Sequence, residues 1–105
     1  MANSDHLRGP NPWHPMTDAV ALKHLGKLTE ECGELASAAS RCIIQGIDET
    51  EPTTGRCNRL WLQDEIADVL ANIELVINHF ALDVDVIDAR AERKQEYLRR
   101  WHSGA

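Results

Sequence analysis

Several things this sequence lacks narrow what it can be. Aromatic side chains are scarce, three Trp, one Tyr and one Phe among 105 residues, so any core must be built from aliphatic groups. Cysteine is present only as Cys32, Cys42 and Cys57. An odd number without metal-ligand spacing gives neither a disulfide framework nor a zinc site, and fits reduced thiols in a cytoplasmic protein. No apolar run approaches the roughly 20 residues needed to cross a bilayer, and no stretch has the build of a signal peptide, so a soluble chain is expected. Excess positive charge is missing too: 11 Lys and Arg stand against 17 Asp and Glu, a net charge of −6. That balance argues against a general nucleic-acid binder, which depends on many phosphate contacts, but leaves room for a nucleotide held by a few local cations. Strand-like alternation, internal repeats, a Walker-type glycine loop and a nucleophile elbow are all absent.

What is there is helical. Residues 1–15 carry three prolines and Gly9 and read as an extended arm, with Trp13 and His14 at its end either packing on the body or facing a ligand. Residues 16–105 form one small all-α domain, short enough to gain from oligomerisation. Thr17 or Asp18 can cap a first helix, on which Ala21, Leu25, Leu28, Cys32, Leu35, Ala39 and Cys42 recur at helical spacing. Gly46 suits a left-handed C-cap. Residues 47–57, with Pro52 and Gly55, form a loop longer than most helix–helix connections. Asn58 can cap a second helix whose seam is Leu62, Ile66, Val69, Ile73, Val76 and Phe80, widened by Leu70 and Ile77. An arc so broad predicts a central, well-buried helix. Asp83 or Asp85 can cap a third, ending near Trp101, with Val84, Ile87, Ala91, Leu98 and Trp101 on one face. Lys94 lies in the middle of that face, flanked by Arg90 and Tyr97. Either it snorkels outward or it meets an anionic ligand between the helices.

The acids carry the chemistry. Glu30, Glu31 and Glu34 sit in mid-helix, Glu31 bordering the first seam and Glu34 about 60° farther round. On the second helix Glu65, Asp68, Asn72 and His79 make a polar stripe beside the apolar arc. Like charges one turn apart repel by about 0.2–0.5 kcal/mol when exposed, and by more where packing lowers the dielectric. If the two seams pack together, Glu31, Glu34, Glu65 and Asp68 surround one volume, and a divalent cation relieves their repulsion. All-oxygen ligation favours magnesium, manganese or calcium over zinc or copper. The bland reading is a solvated acidic face in which Lys27 and Glu31 are an ordinary i,i+4 pair. A di-iron bundle requires Glu-x-x-His pairs, which this sequence does not contain.

The run Glu30-Glu31-Cys32-Gly33-Glu34-Leu35, followed by Glu65-Ile66-Ala67-Asp68-Val69-Leu70, resembles the paired Glu-x-x-Glu and Glu-x-x-Asp motifs of the MazG-like all-α nucleoside triphosphate pyrophosphohydrolases. The likeness extends over about residues 13–101, with Asn72 one turn beyond Asp68. It implies a helical bundle assembled as a homodimer or homotetramer. It also implies magnesium-dependent hydrolysis of NTP or dNTP between the α- and β-phosphates, with Glu31, Glu34, Glu65 and Asp68 as metal ligands and one glutamate orienting water. Lys94, with Arg90 and Arg93 behind it, is the candidate phosphate binder, and Trp13 and His14 the candidate base contacts. The competing expectation is a non-catalytic helical module that dimerises or senses a nucleotide.

Overall fold

The computed structural model describes residues 12–104, and among these every regular element is a helix: α1 (Ala19–Gln45), α2 (Asn58–Phe80) and α3 (Val84–His102). Expectations that fall on residues 1–11, most of the arm, lie outside the described residues. Asp18 starts α1 by accepting from the Val20 amide at 3.3 Å, and Asp83 starts α3 by accepting from the amides of Asp85 and Val86. Short acceptor side chains at these positions satisfy amides that the first helical turn leaves orphaned. Gly46 ends α1 with φ 102° and ψ 140°, a positive φ but not the left-handed helical cap the sequence suggests. Only glycine tolerates that backbone without strain.

α1 and α2 form an antiparallel hairpin locked at its turn by Asn58. Its side chain does not cap α2, as the sequence predicts. It is fully buried and donates across to Gln45 Oε1 at 3.1 Å and to the Gly46 carbonyl at 3.0 Å. The amide thus satisfies groups at the end of α1 while fixing where α2 begins. Residues 47–57 are more ordered than a plain loop. Thr50 bridges Cys57, and the buried Glu51 carboxylate gathers the amides of Thr53 and Thr54 and the Thr54 hydroxyl. Those donors, the backbone amide of Thr53 foremost, hold its carboxyl down at about 2.

The packed face of α1 is rotated from the expected seam. Ala21, His24, Leu28, Glu31, Leu35, Ala38, Ala39, Cys42 and Gln45 are its covered positions, while Leu25 and Cys32 are exposed. Ala21 and Ala38, the most buried apolar residues on the helix, mark the face that is packed, and side chains so small leave room for a close helix approach there. Across the hairpin the rings of His24 and His79 stack at 4.2 Å. α2 is not the fully enclosed helix its arc suggests: Val69 and Val76 are buried, but Ile66, Ile73 and Leu70, the last 60% exposed, face outward. α3 has no buried residue and packs extensively on neither other helix. The radius of gyration of 19.6 Å records this openness, against about 13 Å for a compact domain of the same length. Among the described residues no helix is long and apolar enough to cross a membrane.

Candidate metal centre

Rotation of α1 puts Glu31 inside the packed face, not at its border. Spacings of three and four from Ala21 through His24 and Leu28 arrive at residue 31, so its carboxylate is carried against α2. There Glu65 and Asp68, three apart, project from one side of the helix. Ligand oxygens of Glu31, Glu65 and Asp68 all lie within 4.8 Å of one another. Glu31 is 7% and Glu65 6% exposed, whereas Asp68 opens to solvent.

The partners of these acids are lopsided. Lys27 Nζ sits 3.3 Å from Glu31 Oε1 and 3.3 Å from Glu30 Oε1, and both acids hold the ammonium above its ordinary range, the hydrogen bond to Glu30 most strongly. The ordinary i,i+4 pair of the bland reading is therefore present, but it occupies one oxygen. The Trp61 indole Nε1 donates to Glu65 Oε1 at 3.3 Å. Glu31 Oε2 and Glu65 Oε2 remain buried without any hydrogen-bond partner. Buried carboxylate oxygens without donors are costly, and two of them side by side compound the cost through repulsion. Glu34 stands outside the trio, exposed, one turn along α1. Its carboxyl is pushed up, first by the charge of Glu31, then by partial desolvation and by Glu65 and Glu30, with Lys27 opposing.

A hard divalent cation fits this donor set. Oxygens around octahedral magnesium at about 2.1 Å stand roughly 3.0 to 4.2 Å apart, so the 4.8 Å spread closes with adjustments of less than about an ångström. Soft nitrogen or sulfur donors, which would favour zinc or copper, are absent from the cluster.

The other candidates are placed apart from it. Asn72 lies one turn beyond Asp68 but donates its Nδ2 to the Asp68 carbonyl at 2.8 Å, which ties it to its own helix. Lys94, Arg90 and Arg93 line, with Tyr97, a shallow cavity of about 330 Å³ on α3, away from the acids, and Lys94 Nζ lies 5.6 Å from the Tyr97 ring centroid. Lys94 is exposed and not set in a seam between helices, because α3 packs extensively on neither other helix. Trp13 and His14 are exposed ahead of α1.

Other residues that border the centre escaped the sequence reading. An open groove of about 770 Å³ beside it is lined by Glu34, Ser37, Ser40, Arg41, Trp61 and Glu65, with Arg56 over the Trp61 ring at 4.4 Å. Their spacing carried a signal: Ser37 and Arg41 follow Glu34 by three and seven, and Trp61 precedes Glu65 by four. Arg56 carried none, since its place depends on how the loop folds. In comparisons with protein-family models, curated proteins and solved structures, nothing matches this chain.

Proposed function

We propose that this protein is a magnesium-dependent nucleoside triphosphate pyrophosphohydrolase, converting NTP or dNTP to the monophosphate and pyrophosphate in nucleotide-pool house-cleaning. The observation that carries the reading is the convergence of Glu31, Glu65 and Asp68, with a buried and unpartnered oxygen on each glutamate. Bare, such a cluster must take up protons or spread apart, and a cation held by these three residues removes the conflict. The choice of reaction rests on the resemblance of the two acid motifs to the MazG-like enzymes.

Magnesium held by Glu31, Glu65 and Asp68 would screen the triphosphate's charge and polarise the phosphorus under attack. The chain's own groups do the rest. Trp61 holds Glu65 by one oxygen and leaves the other for ligation, while Lys27 does the same for Glu31. Glu34, outside the trio and exposed beside it, orients the attacking water and takes its proton. The water oxygen bonds to the α-phosphorus. The bond from that phosphorus to the αβ-bridging oxygen breaks, and pyrophosphate leaves with the electron pair.

Assembly as a homodimer or homotetramer belongs to this reading. The accessible surface of the chain is 8357 Å², against roughly 5,900 Å² expected of a compact monomer of 11.8 kDa. Outward-facing Ile66, Leu70 and Ile73 supply apolar area for a second copy, which would also give α3 and its cations something to pack on. The same face favours the second reading, a non-catalytic dimerisation or nucleotide-sensing module. Assaying pyrophosphate release from a panel of canonical and modified NTPs with magnesium separates the two. No release from any of them, together with tight nucleotide binding, would replace the hydrolase by the sensor.

A further inference from the structure

Beside the acid cluster the groove changes sign. Its lining joins Glu34 and Glu65 with Arg41 from α1 and Arg56 from the loop, and Ser37 and Ser40 fall between Glu34 and Arg41 along the helix. Seven residues separate Glu34 from Arg41, about 10 Å along the helix, a span suited to a chain of two or three phosphates. Among the described residues neither guanidinium has a carboxylate within ion-pair distance, although acids outnumber bases in this protein. Arg59, close by in sequence, shows the contrast: it is spent on Asp48 at 2.7 Å. Arg56 instead sits over the Trp61 ring, the indole of which is already engaged with Glu65. A cation–π contact holds the guanidinium without consuming its hydrogen-bond donors, so the fork stays available to an anion. Ser37 and Ser40 add hydroxyl donors, and none of their side-chain oxygens is bonded elsewhere among the described residues.

We propose that this groove is the polyphosphate subsite of the chain, with Arg41 and Arg56 as binding residues for the terminal phosphates and Ser37 and Ser40 as neutral donors between them and the acids. It rests on the hydrolase reading for the direction of the substrate: the α-phosphate lies at the acid end and the departing pyrophosphate at the arginine end. The cations needed by the leaving group thus come from the α1–α2 hairpin itself, and not from α3. Guanidinium forks suit this task because they meet phosphate oxygens two at a time.

The test uses inorganic pyrophosphate as probe, titrated calorimetrically into the full chain with magnesium, and then NTP as competitor. In the double variant Arg41→Gln/Arg56→Gln, pyrophosphate affinity should fall by about tenfold or more for each arginine lost, with the KM for NTP rising more than kcat falls. Arg41→Lys should recover part of the loss, and Lys23→Gln, which removes one charge from α1 outside the groove, should change neither quantity. Circular dichroism checks that the exposed substitutions leave the helices intact. A double variant that binds pyrophosphate as the parent does would overturn the subsite, and normal turnover in it would leave the hydrolase reading standing alone. Pyrophosphate binding that needs both arginines and is displaced by NTP, in a protein that hydrolyses no NTP, would keep the subsite and sink the hydrolase.

Discussion

The α1–α2 hairpin and α3 look alike as patterns and differ as structures. Each of the three helices has a stop signal, and α1 and α3 have acceptor caps. The hairpin buries four polar side chains, Glu31, Glu51, Asn58 and Glu65, next to only four buried apolar ones. α3 buries nothing. An apolar stripe therefore announces that a helix has a face, and says nothing about what covers it. In the hairpin the covering was partly traded for chemistry: small Ala21 and Ala38 lie on the packed face, and each of the two buried acids brought together there keeps one oxygen without a partner. In α3 the stripe waits for a surface the chain does not itself provide.

That contrast can be broken or sharpened by experiment, starting where the largest effect is expected. Glu65→Gln keeps an acceptor for the Trp61 indole but removes one of the converging charges. Turnover should drop by about 10³-fold, in the range of losing a principal electrostatic group, as pyrophosphate release would measure. The same variant should melt higher than the parent without metal and lose the parent's rise in Tm with added magnesium. A variant as active as the parent would deprive the hairpin of its special standing. Next, Asn58→Leu should cost about 2–4 kcal/mol in denaturant unfolding, since it strands the Gln45 and Gly46 acceptors in a buried site. Gly46→Ala should cost about 1–3 kcal/mol, because φ of 102° excludes a side chain without strain and its Cβ would meet Glu49 Cγ at 3.2 Å.

Acid provides a further probe of the hairpin turn. The folded Glu51 carboxyl is held at about 2, well below its ordinary 4.5, so its contribution is complete above 4.5 and is lost as pH falls toward 2. The stability difference between the parent and Glu51→Gln should shrink across that window. Glu34 has the opposite sign. Its carboxyl is raised, so the metal-free protein should gain stability as pH falls through that raised value, and magnesium should abolish the gain. The smallest effect is expected on α3, where Val86→Ala, at a site 62% exposed, should change stability by less than about 0.5 kcal/mol in dilute protein. A larger loss that grows with protein concentration would mean that a second copy covers α3, and the contrast between the regions would then belong to the isolated chain only.

Much of this architecture was legible from local chemistry. Asp18 and Asp83 mark helix starts because a short acceptor beside free amides acts within a few residues, and Gly46 and Pro52 punctuate for equally local reasons. The pairing of Glu31 with Glu65 and Asp68 was legible too, through spacing. What misled was the choice of seam: Leu25 and Cys32 fit a helical period as well as His24 and Glu31 do, and only contact with Ala38 decides between them. Short-range chemistry makes Asn58 a cap, whereas its side chain reaches thirteen residues back to Gln45.

By itself, then, the order of residues determined three helices, their ends and the faces on which acids recur, since these depend on hydrogen bonds and periodicity within a few turns. Tertiary structure alone decided the rotation of α1, the burial that leaves Glu31 and Glu65 with unpartnered oxygens, and the meeting of Arg41, Arg56 and Trp61 around one groove. Those features depend on how closely two backbones approach, a quantity set by packing across the hairpin and not by any neighbour along the chain.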